Sequence, residues 1–105
     1  MPNFKDAKVA SLIKDLAADF MQRESSGASL VTITRVGVSD KLDKATIFFT
    51  VLPESEEKAV EDFAKRRAGD FRTYVRNHSR MHFLPYFYFE IDKGEKNRVK
   101  LDTLK

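Results

Sequence analysis

The sequence predicts an α+β domain whose elements run in the order α-β-β-α(kink)α-β. Three observations carry that prediction: an opening stretch with a helical apolar stripe, two β-branched segments joined by a turn, and a basic helical stretch that a glycine interrupts before a last aromatic strand. The chain has 105 residues, 42% of them hydrophobic and 33% charged. That is enough for a single domain over 1–105 with one modest core.

From Lys5 to about Phe20, Val9, Leu12, Ile13, Leu16, Ala17 and Phe20 fall on one face of a 3.6-residue helix, with Lys14, Asp15 and Asp19 off it. Residues 23–29 form a polar, Ser/Gly-rich connection. Leu30 to Val38 is rich in β-branched residues and reads as a strand. Ser39 to Asp43 is turn chemistry, because Ser and Asp side chains bond nearby backbone groups. Lys44 to Leu52 is the second strand. Ala45, Ile47, Phe49 and Val51 face one way; Thr46, Phe48 and Thr50 face the other. The short turn makes the pair an antiparallel hairpin.

Pro53 and Glu54 end that strand, and Ser55 is positioned to cap a helix with an acidic first turn. Val60, Phe63 and Ala64 form its apolar face. Ala68-Gly69 interrupts the pattern, which resumes through Phe71, Tyr74 and Val75 to about His78. Glycine inside a helix costs about 1 kcal/mol against alanine, so a kink is expected at Gly69. Leu84 to Ile91 is the third strand, with Pro85 at its start. Phe87, Phe89 and Ile91 point toward the core, and Tyr86, Tyr88 and Glu90 away from it. A polar segment, 93–105, follows.

No run approaches the roughly 18 apolar residues of a membrane span, and no secretory signal opens the chain. With no cysteine there is neither a disulfide framework nor a cysteine metal site, and a reducing, cytoplasmic compartment fits. Net charge is +3, but its distribution says more. Between Lys65 and Arg80 lie Lys65, Arg66, Arg67, Arg72, Arg76 and Arg80 against Asp70 alone. On a helix, Arg72, Arg76 and Arg80 share one flank opposite Phe71 and Val75. Such a stripe suits successive phosphates of a nucleic acid, whereas an ordinary solvated face mixes its signs. Gly69 falls within the stripe, where a missing Cβ permits a positive φ or the close approach of a phosphate.

Other constellations predict less. His78 and His82 have metal-pair spacing, yet Arg80 stands between them and no third ligand is near, so no metal is expected. Glu54, Glu56, Glu57, Glu61 and Asp62 read as a helix start rather than a carboxylate pair for catalysis. No phosphate-loop, dinucleotide-loop or nucleophile-elbow motif is present, so no cofactor and no catalytic residue are expected. Tyr86 and Tyr88, with Phe48, share one side of the predicted sheet; they suit either base stacking or a covered partner surface.

Two strings resemble a known family. Val31-Thr32-Ile33-Thr34-Arg35-Val36-Gly37-Val38-Ser39, with Leu42, Ala45, Ile47 and Phe49, is one. Gly69-Asp70-Phe71-Arg72, then Arg80 and Pro85-Tyr86-Phe87-Tyr88-Phe89-Glu90-Ile91-Asp92, is the other. Their order and spacing over about 5–92 resemble ribosome-binding factor A, a bacterial ribosome-assembly family. The chain departs from the family pattern at Arg67, where the family's kink has alanine, and at His82, where it has arginine. The resemblance implies a single type II KH-like domain, a three-stranded sheet with helices packed on one face. It also implies a non-catalytic, RNA-binding factor, monomeric and not membrane-bound, that binds the immature small ribosomal subunit and its ribosomal RNA during late maturation. A link to growth in the cold comes with the family. In that reading Lys65, Arg66, Arg67, Arg72, Arg76 and Arg80 hold phosphates, Gly69 admits the RNA, and Lys5 and Lys8 extend the footprint. The competing reading is a protein-interaction or dimerisation module that uses the sheet edge without RNA.

Overall fold

A computed structural model of the chain describes residues 4–24, 27, 29–81 and 83–94, with 4–6 as backbone only. Its elements are α1 (Phe4–Glu24), β1 (Leu30–Val38), β2 (Lys44–Leu52), a 3-10 turn (Glu54–Glu56), α2 (Glu57–Arg66), α3 (Ala68–His78) and β3 (Tyr86–Ile91). The predicted α+β order therefore holds. The stripe of α1 that packs is Ile13, Leu16, Ala17, Phe20 and Met21, while Leu12 is 37% exposed. The extra apolar turn at Met21 carries the helix past the predicted end at Phe20.

The sheet order is β1-β2-β3, with β1 antiparallel and β3 parallel to β2. A parallel partner needs a crossover, and α2 and α3 provide it. The helices pack on the face that carries Ala45, Ile47, Phe49 and Val51, all buried as their alternation predicts. Phe71 of α3 is fully buried, its ring centroid 5.3 Å from that of Phe20 on α1, 4.9 Å from Phe87 and 5.5 Å from Phe89 on β3. Helix and strand are thus held through edge-to-face aromatic contacts. Phe87 and Phe89 are core residues, as the strand alternation requires.

A bulge resets β1. The register shifts between Ile33 and Arg35, leaving Thr34 as the extra residue. Unbroken alternation from Ile33 would send Arg35 into the core and Val36 and Val38 out of it. With the bulge, Arg35 pairs with Phe48 on the open face, and Val36 and Val38 pack against the core. The Thr34 hydroxyl holds this point, within reach of the Phe48 carbonyl oxygen (3.2 Å) and of an Asp92 carboxylate oxygen (2.5 Å).

The hairpin turn works as its composition suggests. Ser39 Oγ donates to Asp43 Oδ1 (2.6 Å) and accepts from the amides of Asp43 (3.2 Å) and Lys44 (3.1 Å). Two local expectations fail. Ser55 does not cap α2, because it lies inside the 3-10 turn, where the Glu56 amide already donates to the Pro53 carbonyl at 3.0 Å. The kink, moreover, is at Arg67 and not Gly69. Arg67 has φ −96° and ψ 8°, and its amide is shared between the carbonyls of Phe63 (3.0 Å) and Ala64 (3.2 Å). Gly69 sits in the first turn of α3 without a positive φ.

Candidate nucleic-acid interface

The amphipathic helices on either side of Arg67 decide where each cation goes. Their apolar residues, among them Ala64, Phe71 and Val75, face the sheet, so the intervening positions rotate outward. The segment nevertheless does not present six equivalent charges.

Arg67 is held by two carboxylates. Its Nη2 lies 2.8 Å from Glu24 Oε2, at the end of α1, and its Nε 2.9 Å from Asp70 Oδ2. The Nε contact is an ion pair without an aligned hydrogen bond. The residue that replaces the family's alanine therefore ties α1 to the hinge. Arg72 is half-buried, its Nη2 donates to the Leu84 carbonyl (3.3 Å), and its guanidinium lies 5.4 Å from the centroid of the Tyr86 ring. Lys65 Nζ is 3.7 Å from Glu61. Nearby, Lys58 Nζ is 3.0 Å from Asp62, whose hydrogen bond and charge hold the lysine above its ordinary pKa.

Arg66, Arg76 and Arg80 are exposed and make no ion pair among the described residues. Arg80 is not on the helical flank the spacing assigned to it. The helix α3 ends at His78, Ser79 turns extended (φ −145°, ψ 170°), and its hydroxyl donates to the Val75 carbonyl at 2.7 Å. Arg80 thus follows the helix in an irregular stretch. The Cβ position of Gly69 meets nothing within 4 Å, so the surface there is open. Lys8 is exposed on α1 and is not without a partner. It lies twelve residues, about 18 Å of helix, before Phe20, where α1 meets α3. Lys5 falls in the same first turns, and its side chain lies outside the described residues. Neither is brought to the hinge.

Two cations escaped the sequence reading. Arg23, in the last turn of α1, lies 5.9 Å from the Tyr74 ring centroid on α3, beside the hinge. Arg35 lies over the Phe48 ring (3.9 Å to its centroid), with its Nε 3.3 Å from the buried carboxylate of Asp92. Arg35 falls in the first family-like string and Asp92 closes the second, which are the sequence signals for that pair.

His78 stacks on Tyr74 at 4.0 Å, with Nδ1 2.8 Å from the Tyr74 carbonyl. Its predicted neighbour His82 lies outside the described residues, and no metal-binding group of three occurs among the described ones. A cleft of about 310 Å³ between α1 and α2 is lined by Met21, Val60 and Phe63 with Glu24, Glu56 and Arg66. Glu24 is already committed to Arg67. No described helix is long and apolar enough to cross a membrane.

Comparison with known proteins gives the family and the fold. The family model described as Ribosome-binding factor A matches residues 5–105. A protein of that name from Fervidobacterium nodosum is 38% identical over 77 residues, covering 72% of this chain and 62% of the relative. The crystal structure of ribosome-binding factor A from Thermus thermophilus superposes with a TM-score of 0.73 at 18% identity, over 82% of this chain and 94% of that one. A Thermus thermophilus ribosome-binding factor A fitted into the cryo-EM map of a 30S complex superposes with a TM-score of 0.70 at 18% identity, over 80% and 91% of the two chains. The fold is the KH-like one that the sequence strings imply.

Proposed function

The chain belongs to the ribosome-binding factor A family, and from that premise we propose that it is a non-catalytic, cytoplasmic assembly factor that binds RNA. Its target is the immature small ribosomal subunit and its ribosomal RNA, during late maturation. The observation that carries the reading is the set of exposed guanidinium groups of Arg66 at the end of α2, Arg76 in the last turn of α3 and Arg80 just past it, unpaired among the described residues. Unpaired surface arginines release counterions when they meet phosphates, and their geometry costs no internal pair to recruit. Arg67 and Arg72 act differently: Arg67, bound to Glu24 and Asp70, shapes the hinge, and Arg72, bound to the Leu84 carbonyl, ties α3 to the segment before β3. Phosphate contacts position the protein, and RNA shape supplies the selectivity.

The test is the salt dependence of binding to small-subunit RNA. Each phosphate contact on a single strand contributes about −0.7 to the slope of log K against log salt. Arg76→Gln with Arg80→Gln should therefore flatten the slope by about 1.4 and release the protein from small subunits in co-sedimentation at moderate salt. An unchanged slope in a double variant with native circular dichroism refutes the assignment.

A further inference from the structure

The sheet face turned away from the helices carries planar groups and cations that the hinge does not use. From β1 it presents Arg35, from β2 Lys44, Thr46 and Phe48, and from β3 Tyr86, Tyr88 and Glu90, with Lys44 opposite Tyr86, Thr46 opposite Tyr88 and Phe48 opposite Glu90. Tyr86 is 65% and Tyr88 48% exposed, unusual for rings that could be buried. Two of the three rings have a guanidinium beside them: Arg35 lies over Phe48, 3.9 Å from its centroid, and Arg72 beside Tyr86 at 5.4 Å. Arg35 is not loose in this position. Its Nε is anchored 3.3 Å from Asp92, which is only 4% exposed and in turn bonded by Thr34 at the bulge. Opposite Thr46 on β1 stands Gly37, which contributes no side chain.

We propose that this open sheet face is a stacking platform for unpaired RNA bases, separate from the phosphate-binding hinge; the inference rests on the RNA-binding reading given above. Tyr86 and Tyr88 are two residues apart on one strand face, about 6.6 Å, close to the interval at which an extended single strand presents successive bases. A base has a flat π-face that tyrosine rings and guanidinium planes both accept, whatever its sequence. Charge selects the occupant. The rings are interleaved with Arg35, Lys44 and Arg72 against Glu90 as the exposed acid, which suits a polyanion. An apolar protein partner would need contiguous hydrophobic area; Lys44, Thr46 and Glu90 interrupt it among the rings, and the exposed pair Leu30 and Leu52 is set apart from them by Thr32 and Thr50. Arg72 also makes the geometry continuous. It leaves α3 one turn before Arg76, which is in the last turn of that helix, and ends beside Tyr86, on the platform. One strand of RNA could thus have its phosphates held at the hinge and its bases on the sheet.

The experiment compares an oligouridylate with an RNA duplex of equal length, using the full chain and its Tyr86→Leu, Tyr88→Leu and Tyr88→Phe variants. The chain has three tyrosines and no tryptophan, so tyrosine emission reports directly. Single-strand binding should quench that emission. Each Tyr→Leu change should weaken oligouridylate binding by about 5- to 150-fold with the salt slope unchanged, and Tyr88→Phe should restore it. Duplex affinity should not respond. Equal single-strand affinity in the leucine variants, while Arg76→Gln still flattens the salt slope, overturns the platform and leaves the hinge standing. No binding of either RNA by the parent chain overturns both. A dimeric parent that becomes monomeric in Tyr88→Leu, with unchanged RNA affinity, assigns the face to a second copy and overturns the platform.

Discussion

Phe71→Ala should remove about 3–5 kcal/mol of stability. The residue is fully buried, and its ring meets Phe20, Phe87 and Phe89 at centroid separations of 4.9–5.5 Å, so truncation opens a cavity shared by α1, α3 and β3. Those neighbours are themselves buried in the same core and have little freedom to collapse into the cavity. A domain of this length is expected to have only about 5–15 kcal/mol in total. With a urea m-value of about 1.5 kcal/mol per molar, a loss of about 4 kcal/mol moves the midpoint down by about 2.7 M. Phe71→Leu, which retains most of the volume, should cost under about 1.5 kcal/mol. The measurement is a urea titration followed by circular dichroism, with Tyr86→Ala as the exposed aromatic control. A midpoint for Phe71→Ala within about 0.5 M of the parent, at unchanged m, would show that the aromatic cluster does not hold α3 to the sheet.

Two further changes separate backbone from contact effects. Asp92→Asn removes the charge that anchors Arg35 and accepts from Thr34; it should cost about 1–3 kcal/mol in a thermal or urea melt, and a neutral result would mean that the bulge holds itself. Gly69→Val should leave the melting temperature unchanged or slightly raised, because its Cβ meets open space, its φ is not positive and valine is the better helix former. Its RNA affinity should fall if phosphate approaches there, and native affinity would remove Gly69 from the interface.

What was legible in the sequence was what short-range pattern controls. Ala45, Ile47, Phe49 and Val51 alternate because β2 is covered on one side only, and their burial follows from spacing alone. The hairpin was equally legible, since Ser39 and Asp43 carry their turn chemistry locally. The bulge was not. Thr34-Arg35-Val36 reads as unbroken strand, and only the distant Asp92 shows why Thr34 steps out of register. The hinge was misplaced for a similar reason. Glycine is the local breaker, so Gly69 drew the kink, yet the chain breaks where Arg67 meets Glu24 from another helix.

The division among the cations follows from depth rather than from charge count. Arg67 and Arg72 are both half-buried, so their stems start on partly covered ground. A guanidinium in that position finds acceptors before it finds solvent, because leaving its donors unmet near the core is costly. The Nη2 of each has one, a carboxylate for Arg67 and a carbonyl for Arg72, while the Nε of each has no aligned hydrogen bond. Arg66, Arg76 and Arg80 begin from exposed positions and keep their donors for what comes from outside. A substitution at Arg67 or Arg72 therefore changes the shape of the hinge as well as its charge. At Arg66, Arg76 or Arg80 it changes the charge alone, which makes these three the clean probes of the interface.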